Sequence, residues 1–215
     1  MASVSRPNGR WWPADPTAFN APTLGYLYYP FGGNANLLPE KAKSAEIGVQ
    51  WSQKNQVLRA TVFDTRSRNL FEYDLVNNSF ANVANTRNRG LEVSYNAKLG
   101  HWDLRASLTS QHPKDVGTGQ SLNRRAKTLA ALSVDHTMGA WDWGGDLRMS
   151  GSRRDGAKQL PAYELLDLRM RYRFDPQWSA FARIENVFNR SYQTVSGYNQ
   201  APRGVFVGMQ WQPQL

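Results

Sequence analysis

The most constraining feature of this sequence is a pair of alternating segments near its C-terminal end. In Trp178–Phe188 and again in Val205–Trp211, apolar and polar or small residues alternate, with one exception at Phe181. The apolar positions are Trp178, Ala180, Ala182 and Ile184 in the first segment and Val205, Val207, Met209 and Trp211 in the second. A side-chain period of two is that of a β-strand. Two strands of about ten residues with one apolar face are typical of a transmembrane β-barrel.

The chain before this pair contains seven further segments that we interpret as strands. They are Ala45–Ser52, Val57–Thr65, Thr86–Ala97, Trp102–Ser110, Lys127–Asp135, Trp141–Ser150 and Tyr163–Phe174. Short turns alternate with longer connections, and the longer ones are Arg66–Asn82, Gln111–Arg125, Gly151–Ala162 and Asn189–Arg203. Outer-membrane barrels have this asymmetry, with short turns on the periplasmic side and long loops outside. The sequence therefore predicts an all-β fold with about nine antiparallel strands.

Six tryptophans lie beside short turns or beside the C-terminus. They are Trp51, Trp102, Trp141, Trp143, Trp178 and Trp211. An indole ring favours the lipid headgroup layer, where its ring is in hydrocarbon and its N–H reaches water. A band of tryptophans at one level predicts an aromatic girdle. A lipocalin-like soluble barrel would place its apolar faces inward and would not need this band.

The chain is basic, with 26 basic and 17 acidic residues and a formal net charge of +9. The basic residues are placed singly within the predicted strands or in loops, and no helix, zinc-ligand set or RNA-binding aromatic motif accompanies them. We therefore predict a positively lined lumen and mouth rather than a solvated face, and no nucleic-acid partner.

Some classes of protein are excluded or disfavoured by what the sequence lacks. It has no run of about 18 apolar residues, which excludes a membrane-spanning helix. The stretch Met1–Pro7 lacks the apolar core of a secretory signal, so the sequence leaves export open. The absence of cysteine excludes disulfides and thiolate metal sites.

The sequence contains no pattern typical of an enzyme. His101, His112 and His136 are far apart and have neither a serine elbow nor metal-ligand spacing. Gly117–Gly119 lacks the lysine, strand and helix of a phosphate-binding loop. We predict no catalytic residue, no metal and no cofactor, and we interpret Asp167 as a lumen-facing partner of Arg169 or Arg183.

Several stretches resemble one known family. Ile184–Tyr192, Gly197-Tyr198 and Pro202–Gly204, followed by the alternating end strand, are similar to the C-terminal hairpin of TonB-dependent outer-membrane receptors. Within that family the chain looks most similar to the cobalamin transporters. Three motifs fall in the order and spacing of that branch: Arg124–Lys127, Trp141–Gly144 and Gly151–Arg153. The resemblance runs from about Thr17 to Trp211.

The resemblance implies the C-terminal portion of a transmembrane β-barrel of about 22 strands with a plugged lumen. It divides the chain into a non-family stretch at residues 1–16, an extracellular loop segment at residues 17–41 and a barrel portion at residues 42–212. The plug, with the short box that the energy-coupling protein TonB pulls on, is missing from the sequence. We therefore expect the chain to be inactive alone. The implied location is the outer membrane, and the implied partners are its lipid, TonB and the barrel-assembly machinery.

Ligand binding is the function that the resemblance implies, with cobalamin as transported ligand rather than cofactor. By resemblance, Arg153 and Thr118 would contact the ligand. The long loops supply further aromatic and hydrogen-bonding candidates in Tyr192, Tyr198 and Asn199. Lumen charges at Arg105, Arg169, Arg183 and Glu185 would instead contact the plug. The alternatives are a receptor for an iron siderophore, a soluble all-β ligand-binding protein and a small outer-membrane barrel complete in itself.

Overall fold

One antiparallel sheet of eleven strands contains more than half of the chain. The structure is a computed structural model that describes residues 8–74 and 76–213. Its strands are β1 (Asn8–Ala14), β2 (Thr17–Asn20), β3 (Glu40–Gln53), β4 (Gln56–Asp74), β5 (Ser79–Leu99), β6 (Trp102–Asp115), β7 (Thr128–Met138), β8 (Trp141–Ser150), β9 (Arg153–Asp155), β10 (Lys158–Leu160), β11 (Tyr163–Arg173), β12 (Trp178–Glu185), β13 (Gln193–Val195), β14 (Tyr198–Asn199) and β15 (Gly204–Trp211). The short helix α1 (Leu24–Tyr28) is capped by Thr23, whose hydroxyl accepts a hydrogen bond from the Tyr26 amide.

The sheet is a meander whose neighbours in sequence are neighbours in space. Its order is β1-β3-β4-β5-β6-β7-β8-β11-β12-β15, and β2 pairs with β3 beyond the end of β1. The remaining short strands form two separate hairpins, β9–β10 and β13–β14. The nine long strands from β3 to β15 confirm the predicted all-β portion of a barrel. Within the described residues the sheet is open, because β1 and β15 each pair with a single long strand.

The strand register places the alternating apolar residues on one continuous face. Val49 pairs with Ala60, Ala60 with Val93, and Val93 with Leu108. At the other end of the sheet, Met170 pairs with Ala182, which pairs with Val207. Val205, Val207 and Met209 are each about two-thirds exposed or more. We call this apolar surface the outward face and the opposite polar surface the lumen face.

The sheet does not enclose a hydrophobic core of its own. Only five hydrophobic residues of the described chain are buried: Leu37, Ala97, Ala126, Leu160 and Leu165. A soluble sheet of this size would bury its apolar side chains against a second layer. The exposed apolar face therefore needs a nonpolar solvent, which a lipid bilayer supplies.

No helix within the described part of the chain is long and apolar enough to cross a membrane.

The stretch before Thr17, which was not among the predicted strands, contains a strand. Although its first seven residues lie outside the described residues, the stretch contains β1, which pairs along its whole length with β3. Trp12 fills the space above Gly48, where a Cβ would meet its ring, and the Arg59 guanidinium lies 5.2 Å from the centre of that ring. Aromatic packing on the lumen face therefore stabilises β1, although apolar and polar residues alternate little in its sequence.

The predicted long connection Arg66–Asn82 is wrong. β4 and β5 continue as a paired ladder to Asp74 and Ser79, so only residues 75–78 connect them. Beyond the apolar band both faces of a strand meet water, and alternation in hydrophobicity is no longer required. Tyr26 of α1 packs against this extension, with its ring 4.6 Å from that of Phe80.

Candidate functional site

The lumen face of the last strands carries a ladder of ion pairs. Arg105 binds Asp135 at 2.7 Å, Arg148 binds Asp167 at 2.5 Å, and Arg171 binds Asp142 at 3.2 Å. Arg173 also contacts Asp142. The single arginines within the strands therefore form a charged lumen wall, as the sequence predicts. Most carboxylates of this wall are in ion pairs with arginines.

Arg169 is the centre of this ladder. Its guanidinium contacts both Asp135 on β7 and Asp146 on β8. It reaches β7 by crossing Gly144, which lies directly between Arg169 and Asp135 in the register. A Cβ at Gly144 would lie 2.9 Å from the Arg169 terminal nitrogen and 2.8 Å from the Val134 carbonyl oxygen. The missing side chain is therefore what opens this path.

The predicted partners of Asp167 are wrong. Asp167 binds Arg148 across the β8–β11 pair and accepts a hydrogen bond from the Asn186 amide at 2.8 Å. Arg183 instead contacts Glu185 on its own strand, at 3.3 Å. Arg148 pairs with Leu165 in the register and reaches Asp167 diagonally, two residues further along β11. This ion pair depends on how the two strands are paired, which the spacing of residues in the sequence does not show.

At the end of the sheet opposite the short turns, three loop segments meet around Asp155. We call the segments Leu122–Arg125, β9–β10 and β13–β14 the mouth cluster. Asp155 is 8% exposed, and it accepts hydrogen bonds from Arg124 at 2.8 Å and from the Ser196 amide at 2.7 Å. Asn123 links the cluster to the β4–β5 extension, because its side-chain amide donates to Glu72 at 2.5 Å. One carboxylate therefore joins all three loop segments.

The charge state of Asp155 follows from these contacts. Burial raises the pKa of the Asp155 carboxyl, but the hydrogen bonds from the Ser196 amide and Arg124, with the Arg124 charge, outweigh it. The pKa of Asp155 therefore lies below its ordinary value of 3.8. A lowered pKa means that the charged carboxylate stabilises the folded loops.

Of the predicted ligand contacts, Arg153 occupies the most unusual environment. It is 8% exposed, and its guanidinium lies 5.0 Å from the centre of the Tyr163 ring. The Tyr163 ring packs in turn against the Tyr192 ring in a tilted arrangement, with their centres 4.5 Å apart. The Nε and one terminal nitrogen of Arg153 are buried and have no hydrogen-bond partner within the described residues. A buried donor without an acceptor is costly, so an acceptor that reaches these nitrogens would stabilise them.

The other predicted ligand contacts are less closely associated. Tyr198 is 70% exposed, and Asn199 accepts a hydrogen bond from Gln193 inside the β13–β14 hairpin at 2.7 Å. Thr118 lies in a turn in which its amide donates to Asp115 at 2.9 Å. That turn reaches the mouth cluster through Gln120, which contacts Arg154. The structure thus brings Arg153 and Tyr192 together and leaves Thr118 at the margin.

The sequence analysis missed Asp155, Tyr163 and the two loop hairpins. The dipeptide Asp155-Gly156 is a strong hairpin signal, and Ser196-Gly197 is a turn signal of the same kind. Gly156 and Gly197 both have positive φ, at 61° and 86°. These dipeptides could have predicted both hairpins. The contact of Asp155 with the Ser196 amide could not be predicted, because the two residues are far apart in sequence.

The predicted girdle tryptophans all lie on the outward face, at the edge with the short turns. Trp102 and Trp143 pack edge to face at 5.1 Å, with His136 beside both rings. Trp178 pairs with Trp211 across β12 and β15. Their placement is that of an interfacial band, and their position at the headgroup level stays a prediction.

No metal site accompanies these features: the described residues contain no group of three or more histidine, aspartate or glutamate side chains that could hold a metal ion.

The family of this chain is shown by a comparison with protein-family models. Residues 3–187 match the model described as "TonB dependent receptor-like, beta-barrel". The chain belongs to the TonB-dependent receptor family. Proteins of this family are outer-membrane β-barrels, so the chain is assigned to the outer membrane, and the alternative of a soluble all-β protein is wrong. The match begins at residue 3, within the stretch that the sequence analysis separated from the family.

Curated relatives and solved structures agree with this family. The vitamin B12 transporter BtuB of Vibrio cholerae is 28% identical over 212 residues, which cover 91% of this chain and 33% of the relative. The structure is similar to that of the copper transporter OprC, with a TM-score of 0.76, 16% identity, and coverage of 94% of this chain and 38% of OprC. It is also similar to the ferric-catecholate import receptor Fiu of E. coli K12, with a TM-score of 0.74, 22% identity, and coverage of 95% and 33%. The chain spans about a third of the length of the curated relatives that it matches.

Removal of the Asp155 carboxylate is expected to separate the two loop hairpins. We expect spin labels at Lys158 and Tyr198, on β10 and β14, to give a narrow distance distribution in the parent and a broad one in Asp155→Ala. Because the pKa of Asp155 is lowered, the parent distribution should stay narrow above pH 3.8 and broaden only as the pH falls below that value. Asp175→Ala, in a turn at the opposite end of the sheet, is the matched control. A distribution that is equally narrow in Asp155→Ala would show that the carboxylate does not hold the hairpins.

Proposed function

We propose that this chain forms the C-terminal barrel wall and part of the mouth of an outer-membrane TonB-dependent transporter for cobalamin. The observation that supports this ligand is the 28% identity to the vitamin B12 transporter BtuB, which extends over 91% of the chain. The matched length includes the long loops as well as the strands, and loops carry the ligand contacts of such scaffolds.

The mouth cluster is suited to a large ligand with oxygen and amide acceptors. Arg153 has two nitrogens without a hydrogen-bond partner among the described residues, and its guanidinium lies over the Tyr163 ring, which packs against Tyr192. Convergent donors on pre-organised loops fix the orientation of a ligand at little entropic cost. We propose that the amide groups around the corrin ring of cobalamin accept from Arg153.

The lumen wall has a second role in this proposal. The paired charges around Arg169 keep the wall polar, so a ligand can pass without a large apolar surface to hold it. In the complete transporter, this wall would contact the plug, and TonB would act on the plug to open the path. The barrel-assembly machinery would insert the strands, as for other outer-membrane barrels.

The proposal is tested with a chimeric receptor, in which this chain replaces the matching third of Vibrio cholerae BtuB. The chimera supplies the strands that close the sheet beyond β1 and β15. In a Gram-negative host without its own cobalamin receptor, we expect uptake of radiolabelled cyanocobalamin that is lost when TonB is deleted. We expect Arg153→Gln to raise the half-saturating concentration about tenfold, since it removes the unpaired donors to the ligand, equivalent to ~1.4 kcal/mol. Lys54→Gln, in the exposed turn between β3 and β4 at the opposite end of the sheet, should leave uptake unchanged.

The competing ligand class is a ferric siderophore, which an arginine-rich mouth would also attract if the complex is anionic. The same host is therefore tested for TonB-dependent uptake of a ferric-catecholate complex. A chimera that reaches the outer membrane in folded form and imports the iron complex but no cyanocobalamin would replace cobalamin with siderophore. A folded chimera that imports neither would contradict the proposed function.

A further inference from the structure

The outward face carries a basic patch above its apolar band, on strands β3 to β6. Above the apolar rows that include Val49, Ala60 and Val93, the register places a mixed row of Ala45, Asp64, Arg89 and His112, and above it two rows of basic residues. Lys43, Arg66, Arg87 and Lys114 form one row across four strands, and Lys41 and Arg68 form the next row. We call these six residues the basic patch. Because side chains alternate strictly along each strand, all six point to the lipid side rather than to the lumen.

The patch has more positive charge than its neighbours neutralise. Lys43 contacts Asp15 at 3.2 Å, and Arg87 contacts Asp64. Asp64 also accepts from Arg89, one row lower, at 3.2 Å. The other four members, Lys41, Arg66, Arg68 and Lys114, form no salt bridge within the described residues. All four side chains are exposed.

The height of the patch coincides with the outer boundary of the bilayer. Lys43 and Lys41 lie about eight and about ten residues along β3 from the girdle residue Trp51. A strand that rises ~3.4 Å per residue and is tilted by ~40° gains about 21 to 26 Å over that length. The apolar band of an outer-membrane barrel is ~25 Å tall, so the patch lies where the headgroups of the outer leaflet begin.

The neighbouring strands show that this charge is local. On β8, the outward residue about eight positions after the girdle residue Trp141 is Met149, which is 48% exposed. The patch also borders a groove of about 850 Å³, which β2, β3, β4 and β5 line with five of the six basic residues and with Phe19. Phe19 is 65% exposed and pairs with Lys41. Cations thus lie beside an exposed aromatic ring at the membrane boundary.

We propose that the basic patch binds the phosphate groups of phosphorylated glycolipid in the outer leaflet. Arginine forks and lysine ammonium groups both match phosphate oxygens, and basic clusters next to a bilayer attract anionic headgroups. The apolar rows below the patch contact the acyl chains of the same molecule, and the groove holds its headgroup. The site is on the lipid side of the wall and is therefore separate from the proposed ligand path through the mouth.

The test measures binding of bis-phosphorylated lipid A to the delipidated chimeric receptor in dodecyl maltoside micelles. We expect the triple variant K41Q/R66Q/R68Q to bind at least tenfold more weakly than the parent. The charge-conserving variant K41R/R66K/R68K should bind within twofold of the parent, which separates loss of charge from disturbed folding. The variant K54Q/K98Q/K158Q removes the same number of charges elsewhere and should also stay within twofold.

Two further arms identify the source of the phosphate. Dephosphorylated lipid A should bind the parent at least tenfold more weakly, and inorganic phosphate at the same concentration should not displace bound lipid A. Equal binding by the parent and the glutamine variant would overturn the proposal, as would equal binding of dephosphorylated lipid A. Displacement by inorganic phosphate would assign the patch to free phosphate instead. None of these results depends on cyanocobalamin uptake.

Discussion

An arginine in place of Leu132 is expected to lower the free energy of unfolding of the chimeric receptor in a bilayer by about 2–4 kcal/mol. Leu132 lies on the outward face of β7, paired with Ala106 on one side and Leu147 on the other. A charge at that depth must leave water for hydrocarbon, because the rows above and below it are also apolar. Urea unfolding in liposomes, followed by the heat-dependent shift in gel mobility, measures this change.

The adjacent residue supplies the matched control. Ala131 precedes Leu132 on β7 but lies on the lumen face, where it pairs with Ser107 and Arg148. We expect Ala131→Arg to change the unfolding free energy by no more than about 0.5 kcal/mol, as a substitution on a solvated surface does. If the two variants are equally destabilised, the assignment of the two faces is wrong.

A valine at Gly144 is expected to destabilise the barrel by about 1–3 kcal/mol through overpacking. A Cβ there would lie 2.8 Å from the Val134 carbonyl oxygen, which belongs to the backbone and cannot move aside. The valine would also displace the Arg169 guanidinium from Asp135. Urea unfolding of the chimeric receptor in liposomes measures the loss.

Gly145 is the control for this substitution. It lies on the outward face, and a Cβ there would meet only the flexible end of Leu168 at 3.1 Å and the Asp167 carbonyl oxygen at 3.5 Å. We expect Gly145→Val to be neutral within about 0.5 kcal/mol, since valine favours strands and the outward face is apolar. A neutral Gly144→Val variant would show that Arg169 does not need the path across β8.

The centres of the long strands could be predicted because the bilayer imposes a strict physical rule on them. Trp141–Ser150 was predicted to the residue, and Tyr163–Phe174 differs from β11 by a single residue. Inside the apolar band, each backbone group must be paired and each outward side chain must be apolar, so period-two alternation is strong there. The faces of β3, β11, β12 and β15 follow from the same rule.

Outside the band this rule no longer applies, and the prediction fails there. The ends of β4 and β5 carry polar residues on both faces, so their continuation past Thr65 leaves no alternating pattern. β1 lacks the pattern for another reason: its identity as a strand depends on pairing with β3. Strand pairing of this kind is a tertiary property that local sequence does not encode.

The candidate site was predictable only in part. A resemblance in Gly151–Arg153 selected Arg153, and two nitrogens of that residue are buried with no hydrogen-bond partner in the part of the chain that the structure describes. The packing of Arg153 against Tyr163 could not be predicted in this way, nor could the hydrogen bonds by which Asp155 joins three loops. Both depend on contacts between segments that are separate in the sequence. The basic patch is visible only in the register, because its members come from four separate strands.

A barrel wall has lipid on one face and a water-filled lumen on the other, and β11 should show both faces residue by residue. Because the chain has no cysteine, single spin labels can be placed along β11 from Leu165 to Tyr172 in a cysteine-free chimeric receptor in liposomes. We expect oxygen to reach labels at Leu166, Leu168, Met170 and Tyr172, and a water-soluble nickel chelate to reach those at Asp167, Arg169 and Arg171. If the collision rates do not alternate along β11, or alternate in the opposite phase, the chain is not a barrel wall of this kind.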